Sequence, residues 1–380
     1  MGILIRIARA FLSLIYAFLK LFKTQDKIVF LSRQSDIVSI DFRLMADEIK
    51  RSHPEYKTVM LCRKIPSGIV GKIKYSFHML RQMYHLATSR AAILDSYCIP
   101  VSLLRHKKEL AVIQIWHALG NMKKFGYAML DKPEGSDSKL AKAMCMHKNY
   151  DCIVISSMSF AKDFLEGFNA NPKLLAEIPL PRTDILTDSD KAKNKRSEIM
   201  QKYPVLEGKK NILYCPTFRK SDSQISQAVE NLSRLIDRTK YNFIVSYHPV
   251  SESEKIDDSK ALNFAESTFD LLFASDFVIS DYSTVFYEAG LLKKPIFSYS
   301  FDWEQYHQRR EINFDIEHEF PGLFTDDAEQ IIGNIEQGIF DFERLEAFIE
   351  KNVAVGSGHC TERLISLVFD KINEKSKIKK

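Results

Sequence analysis

Short apolar runs rich in Ile, Val and Leu alternate with longer amphipathic stretches along nearly the whole chain, and the cycle is run through twice. In the first half the strand pattern falls at 28–31, 58–61, 92–94, 112–116 and 152–155, with helical periodicity at 42–50 and 75–87. In the second half strands return at 211–215, 243–246, 277–280 and 296–299, with helical stretches at 224–240 and 285–292. Parallel strands need a crossover, usually a helix, so this alternation predicts two parallel sheets covered by helices. The polar segment 184–208, with its run Asp188-Ser189-Asp190-Lys191-Ala192-Lys193-Asn194-Lys195, reads as the linker and opening helix of the second half. Helices at 343–351 and 361–373 follow, and the Lys-rich tail after Glu374 is expected to fray. The layout expected is a helix at 1–24, α/β domains at 25–183 and 184–356, and a C-terminal helix with a basic tail at 357–380.

The first 23 residues break the alternation. They are rich in Ile, Leu and Phe, and Arg6, Arg9, Lys20 and Lys23 are their only charges. Arg6, Ser13 and Lys20 recur every seven residues with Arg9 beside them, which leaves one narrow polar face. The uncharged run 10–19 falls short of the roughly 20 apolar residues that a spanning helix needs. No small-x-small cleavage site follows it. The pattern predicts a basic amphipathic helix lying in the inner-leaflet interface, so a peripheral protein on the cytoplasmic face of the membrane.

Composition narrows the function classes. A net charge of +5 with no clustered basic face fits an anionic substrate or membrane surface and argues against nucleic acid. The six cysteines show no C-x-x-C spacing, so they read as reduced thiols of a cytoplasmic protein, and no zinc-ligand pattern appears.

Five motifs carry polar groups, most of them just after strand patterns. The first is Trp116-His117-Ala118-Leu119-Gly120-Asn121-Met122-Lys123-Lys124. An imidazole at a strand end suits proton acceptance from a hydroxyl near neutral pH, and the flanking Trp and Lys-Lys turn favour that over a merely satisfied histidine. The second is Pro216-Thr217-Phe218-Arg219, where a guanidinium fork matches phosphate. The third is Tyr247-His248-Pro249, with His248 suited to a phosphate oxygen or to protonating a leaving group. The fourth is Ser280-Asp281-Tyr282-Ser283-Thr284 running into a helix that contains Glu288. A helix start offers unpaired N–H groups and a positive dipole end, so Ser283 and Thr284 are candidates to hold phosphate, with Glu288 placed for ribose hydroxyls. The fifth is Arg310, in a loop trailed by Pro321-Gly322.

Two Rossmann-like halves joined by a linker make the GT-B-like architecture of B-type glycosyltransferases, an α/β fold that binds ligands outside the carboxyl ends of its strands. In a two-domain version the halves face each other across a cleft. The ordered set of motifs resembles the CDP-glycerol glycerophosphotransferase family of teichoic-acid synthesis, from about residue 28 to 322. Trp116-His117-Ala118 and Arg310-Glu311 depart from the Trp-His-Gly and Arg-Gly of many members, and the first departure is similar to the short, primase-like ones. The resemblance implies transfer of glycerol phosphate from CDP-glycerol to a hydroxyl of a lipid-linked saccharide acceptor, with release of CMP. Residue by residue it implies His117 as base and His248 as a second catalytic group on the donor phosphates. Lys123, Thr217, Arg219, Asp281, Ser283, Thr284, Glu288 and Arg310 are then the substrate contacts. No cofactor is required and no metal is held by the protein, although bulk Mg²⁺ could assist. The alternatives are CDP-ribitol as donor, a nucleotide-sugar transferase or epimerase on the same fold, and a non-catalytic binding protein.

Overall fold

The structure, a computed structural model, describes residues 2–219, 222–247 and 260–377. It divides into two compact units. The first comprises Met1–Ala118, Phe125–Arg182 and Ala354–Lys380, and the second comprises Leu119–Lys124 and Thr183–Val353. Two assignments differ from the linear layout. Residues 119–124 belong with the second unit, and the last helix belongs with the first. That helix, Cys360–Lys377, buries Leu364, Ile365, Val368 and Ile372. Its Phe369 ring stacks on His53 at 3.5 Å between centroids, and Lys375 pairs with Asp151 at 2.6 Å.

The first unit is built on six strands: β1 (Lys27–Ser32), β2 (Lys57–Cys62), β3 (Ala91–Leu94), β4 (Ala111–Gln114), β5 (Cys152–Ile155) and β6 (Leu175–Glu177). They are parallel, in the order β2-β1-β3-β4-β5-β6. The second unit holds β7 (Lys210–Cys215), β8 (Tyr241–Val245), β9 (Phe277–Ser280), β10 (Ile296–Tyr299) and β11 (Phe324–Thr325). These are also parallel, in the order β11-β10-β9-β7-β8. In each unit the first strand lies between the second and the third, so both halves wind in the same way. Every residue of β1, β3, β4, β5, β8, β9 and β10 is buried, as expected when helices cover both faces of a sheet. The edge strands β6 and β11 have three and two residues and are only partly buried, which is why no apolar run announces them.

Local chemistry sets the element ends. Ser39 caps the helix Ile40–Ser52 by accepting from the Phe42 amide at 3.2 Å. The helix Asp222–Leu235 stops short of the expected 240 because Asp237 turns the chain, accepting from Thr239 and, through its carbonyl, from the Tyr241 amide. Pro321-Gly322 serves packing here. A Cβ on Gly322 would stand 1.8 Å from the Ile296 carbonyl oxygen, where the chain closes in so that Ser298 can donate to Leu323 at 2.8 Å.

The N-terminal helix, Gly2–Leu19, is held to the first unit by one narrow face. Tyr16 is 1% exposed and its hydroxyl meets His106 Nδ1 at 2.7 Å. Lys20 donates to the Arg105 carbonyl and Lys107 to that of Phe22. Ile7, Phe11, Leu14, Phe18 and Leu21, spaced by four and three residues, are exposed. The neighbouring helix Ile69–Thr88, which packs beside it, exposes Ile69, Val70, Ile73 and Phe77. Among the described residues no helix is long and apolar enough to cross a membrane.

Candidate functional site

In a parallel sheet all strands point the same way, so the residues just past their carboxyl ends gather along one edge. In the first unit β1, β3 and β4 bring Gln34, Asp95 and His117 together. The β4 pattern was expected to continue to Trp116, but the strand stops at Gln114. Gln114 then accepts the Trp116 amide at 3.0 Å, and Trp116 adopts a left-handed backbone with φ of 64°. For a bulky side chain this conformation costs on the order of 1–3 kcal/mol. It is offset by packing, since the indole lies against Phe125, Phe164 and Phe168 at centroid distances of 4.4, 5.7 and 5.5 Å. Such aromatic pairs contribute about 0.5–1.5 kcal/mol each. The kink ends the strand and leaves His117 half-buried beyond it.

The surroundings of His117 choose its tautomer. Nδ1 lies 3.0 Å from the Asp95 carbonyl oxygen. A carbonyl can only accept, so Nδ1 carries the proton and Nε2 keeps its lone pair, as a base requires. Gln34 Nε2 lies 3.4 Å from the same nitrogen. The main chain is held as well. Arg182 reaches the His117 carbonyl at 3.4 Å, and Arg182 itself forks onto the buried Asp41 at 2.5–3.2 Å. Burial pushes the Asp95 carboxyl up to about 6, against Ser32 and Ser96, whose hydrogen bonds pull it down. Asp41, Asp95 and Arg182 were not singled out from the sequence. The available signal was a polar residue directly after a strand, which marks Asp95 as clearly as it marks His117.

In the second unit β7, β9 and β10 converge in the same way, and two expectations change. Arg219 was expected to turn its fork to a phosphate. All of its guanidinium nitrogens face protein acceptors instead, and it is 7% exposed. Nε and Nη2 grip Asp302 at 2.7 and 2.9 Å, Nη2 reaches Asp281 at 2.9 Å, and Nη1 donates to the Thr217 carbonyl at 2.9 Å. Asp281, expected to touch substrate, is fully buried. It accepts from the Thr217 amide, the Thr217 hydroxyl, the Tyr282 amide and Arg219. The physical reason is burial: two carboxylates beneath the strand ends need a cation, and Arg219 supplies it. Burial works against the Arg219 charge, but Asp281 and Asp302 outweigh it and hold its pKa above the ordinary value. The Arg219 guanidinium also lies over the Tyr306 ring at 4.5 Å, and Tyr306 stacks on Tyr282.

This network fixes groups that remain half-exposed. Thr217 is half-buried, and Lys123 Nζ approaches its hydroxyl at 3.4 Å and the Tyr306 ring at 5.3 Å. Ser283 and Thr284 are half-buried at the start of the seven-residue helix Val285–Leu291. The Val285 amide donates to Ser283 Oγ at 3.3 Å, and the Phe286 and Tyr287 amides donate to the Ser283 and Thr284 carbonyls. The first turn therefore satisfies its own donors. Glu288 lies inside this helix and is 9% exposed. Arg310 caps the helix Trp303–Arg309, its amide donating to Tyr306 at 2.9 Å. His248 lies outside the described residues. Asp302, which the sequence reading passed over, is the first acidic residue after β10 and completes the network.

Over residues 13–370 the chain matches the family described as CDP-Glycerol:Poly(glycerophosphate) glycerophosphotransferase. It is 32% identical over 353 residues to the teichoic acid ribitol-phosphate primase of Bacillus spizizenii, covering 90% of each chain. It is 27% identical over 380 residues to the teichoic acid glycerol-phosphate primase of Bacillus subtilis, covering 96% of this chain and 97% of that one. Among solved structures, the wall teichoic acid polymerase TagF superposes with a TM-score of 0.76 at 18% identity, over 95% of this chain and 93% of that one. That likeness agrees with a GT-B-like α/β fold built on two parallel sheets.

Proposed function

This chain belongs to the CDP-glycerol:poly(glycerophosphate) glycerophosphotransferase family, and from that premise we propose that it transfers glycerol phosphate from CDP-glycerol to a hydroxyl of a lipid-linked saccharide, releasing CMP, in teichoic acid synthesis. The observation that supports this most is the His117 imidazole, with Nδ1–H committed to the Asp95 carbonyl and Nε2 left as acceptor. As the acceptor oxygen bonds to the β-phosphorus, its proton passes to Nε2. The bond from that phosphorus to the bridging oxygen breaks, and CMP leaves with the electron pair. Positioning and charge stabilisation do most of the work in such transfers.

The donor phosphates fall to Ser283, Thr284, Lys123 and Arg310, with His248 as a further contact and Glu288 on the ribose. Arg219 and Asp281 act one step back, holding Thr217 and the Tyr282 turn. These side chains compensate the phosphate charge without a protein-held metal, and turnover in a chelator checks that directly.

CDP-ribitol is the second donor to consider, because identity to the ribitol-phosphate primase is 32% against 27% to the glycerol-phosphate primase. The test is CMP release from each CDP-polyol, with and without a lipid-linked disaccharide. We expect release with one of the two donors and dependence on the acceptor. UDP release from a UDP-sugar, with no CMP from either donor, would overturn the proposal.

The exposed stripe of the N-terminal helix supports a position at the inner-leaflet surface. Burying each large apolar side chain is worth roughly 1.5–3 kcal/mol, and each basic residue near anionic lipid about 1 kcal/mol. Arg9 on this helix, Lys23 just beyond its end, and Lys72 and Lys74 on the neighbouring helix are exposed and can supply that charge. Phe11→Ser combined with Leu14→Ser is expected to weaken sedimentation with anionic phospholipid vesicles by about tenfold or more. Turnover on a detergent-soluble acceptor should not change. Vesicle binding equal to wild type would remove the membrane role.

A further inference from the structure

Residues 119–124 and 311–313 cross as a short antiparallel ribbon inside the second unit. Lys123 pairs with Ile312, the Asn313 amide donates to Met122 at 2.9 Å, and the Lys124 amide donates to Glu311 at 3.0 Å. Two side chains on this ribbon are out of balance. Asn121 is 5% exposed and its Nδ2 has no acceptor among the described residues. Asn313 Nδ2 is likewise buried without an acceptor. A buried N–H left unpaired costs the full desolvation of the group, and native proteins keep few of them, so two on adjacent strands call for a cause.

The neighbours point to one chemistry. The ribbon carries Lys123, whose ammonium lies beside Thr217, and Arg310 directly precedes its second strand. Its sole carboxylate, Glu311, is paired with Lys124. Two unpaired amide donors thus lie beside cationic side chains, and the complement of that set is an oxyanion.

We propose that Asn121 and Asn313 are substrate-binding residues that donate hydrogen bonds to phosphate oxygens, either the diphosphate of the CDP-polyol or a phosphate of the lipid-linked acceptor. The identity of the phosphate rests on the transfer reaction above; the anion site does not.

Asn121→Ala and Asn313→Ala test this, because removing an unpaired buried amide leaves the ligand-free fold intact or firmer. In the full-length enzyme we expect melting temperatures equal to or above wild type. The thermal shift given by inorganic pyrophosphate should be lost, and KM for one substrate should rise about tenfold or more. A rise in the donor KM at saturating acceptor assigns the site to the diphosphate, and a rise in the acceptor KM assigns it to the lipid phosphate. Lower melting temperatures with the pyrophosphate shift and both KM values unchanged would overturn the proposal and leave the transfer reaction standing. A pyrophosphate shift that the variants abolish, in an enzyme that turns over neither CDP-polyol, would retain the site and sink the reaction.

Discussion

His117→Ala lowers kcat by about 10²–10⁴, the usual contribution of a positioned general base. The dissociation constant for CDP-glycerol stays within about twofold, because the groups assigned to the donor phosphates lie elsewhere. The prediction follows from the tautomer: the Asp95 carbonyl takes the Nδ1 proton at 3.0 Å, so the only ring atom left to accept is Nε2. It also has a signature that misfolding would not give. The acidic limb of the kcat/KM profile, set in the wild type by protonation of the base, should flatten in the variant. Single-turnover CMP release with CDP-glycerol, across pH, reads both quantities. Turnover equal to wild type would remove the base assignment.

Arg219→Ala is expected to cost stability rather than chemistry alone, by about 3–5 kcal/mol. Asp281 and Asp302 are 0% and 6% exposed at their side chains, and Arg219 is the cation paired with both. Removing it strands two buried carboxylates, which is far more expensive than losing a surface pair. Arg219→Lys should recover only part of the loss, since one ammonium cannot reproduce a fork that bonds Asp302 through two nitrogens. Urea denaturation followed by far-ultraviolet circular dichroism measures the difference. If Arg219→Ala unfolded at the wild-type midpoint yet lost donor affinity, the residue would be a phosphate contact after all, as its motif had suggested.

The two expectations differ in how they could be foreseen. His117 follows a β-branched run and is flanked by Trp116 and a Lys-Lys turn, so local pattern alone marks it. The same local cue marked Arg219 and Asp281, and there the side chains meet each other and Asp302. A fork suited to phosphate is equally suited to carboxylate. Which one it meets depends on what lies beside it, and the partners of Arg219 are 62 and 83 residues away in sequence.

Periodicity and composition were enough to establish the alternating α/β plan, the strands with long apolar runs, and the polar positions at their ends, because a buried strand must be apolar over its own length and a turn must be polar at its own residues. The tertiary structure alone decided that residues 119–124 belong with the second unit and the last helix with the first. It alone decided that Asp302 neutralises Arg219, and that Asp95 sets the proton on His117. Hydrogen bonds and ion pairs depend on distance in space, and strands that are neighbours in a parallel sheet are far apart along the chain.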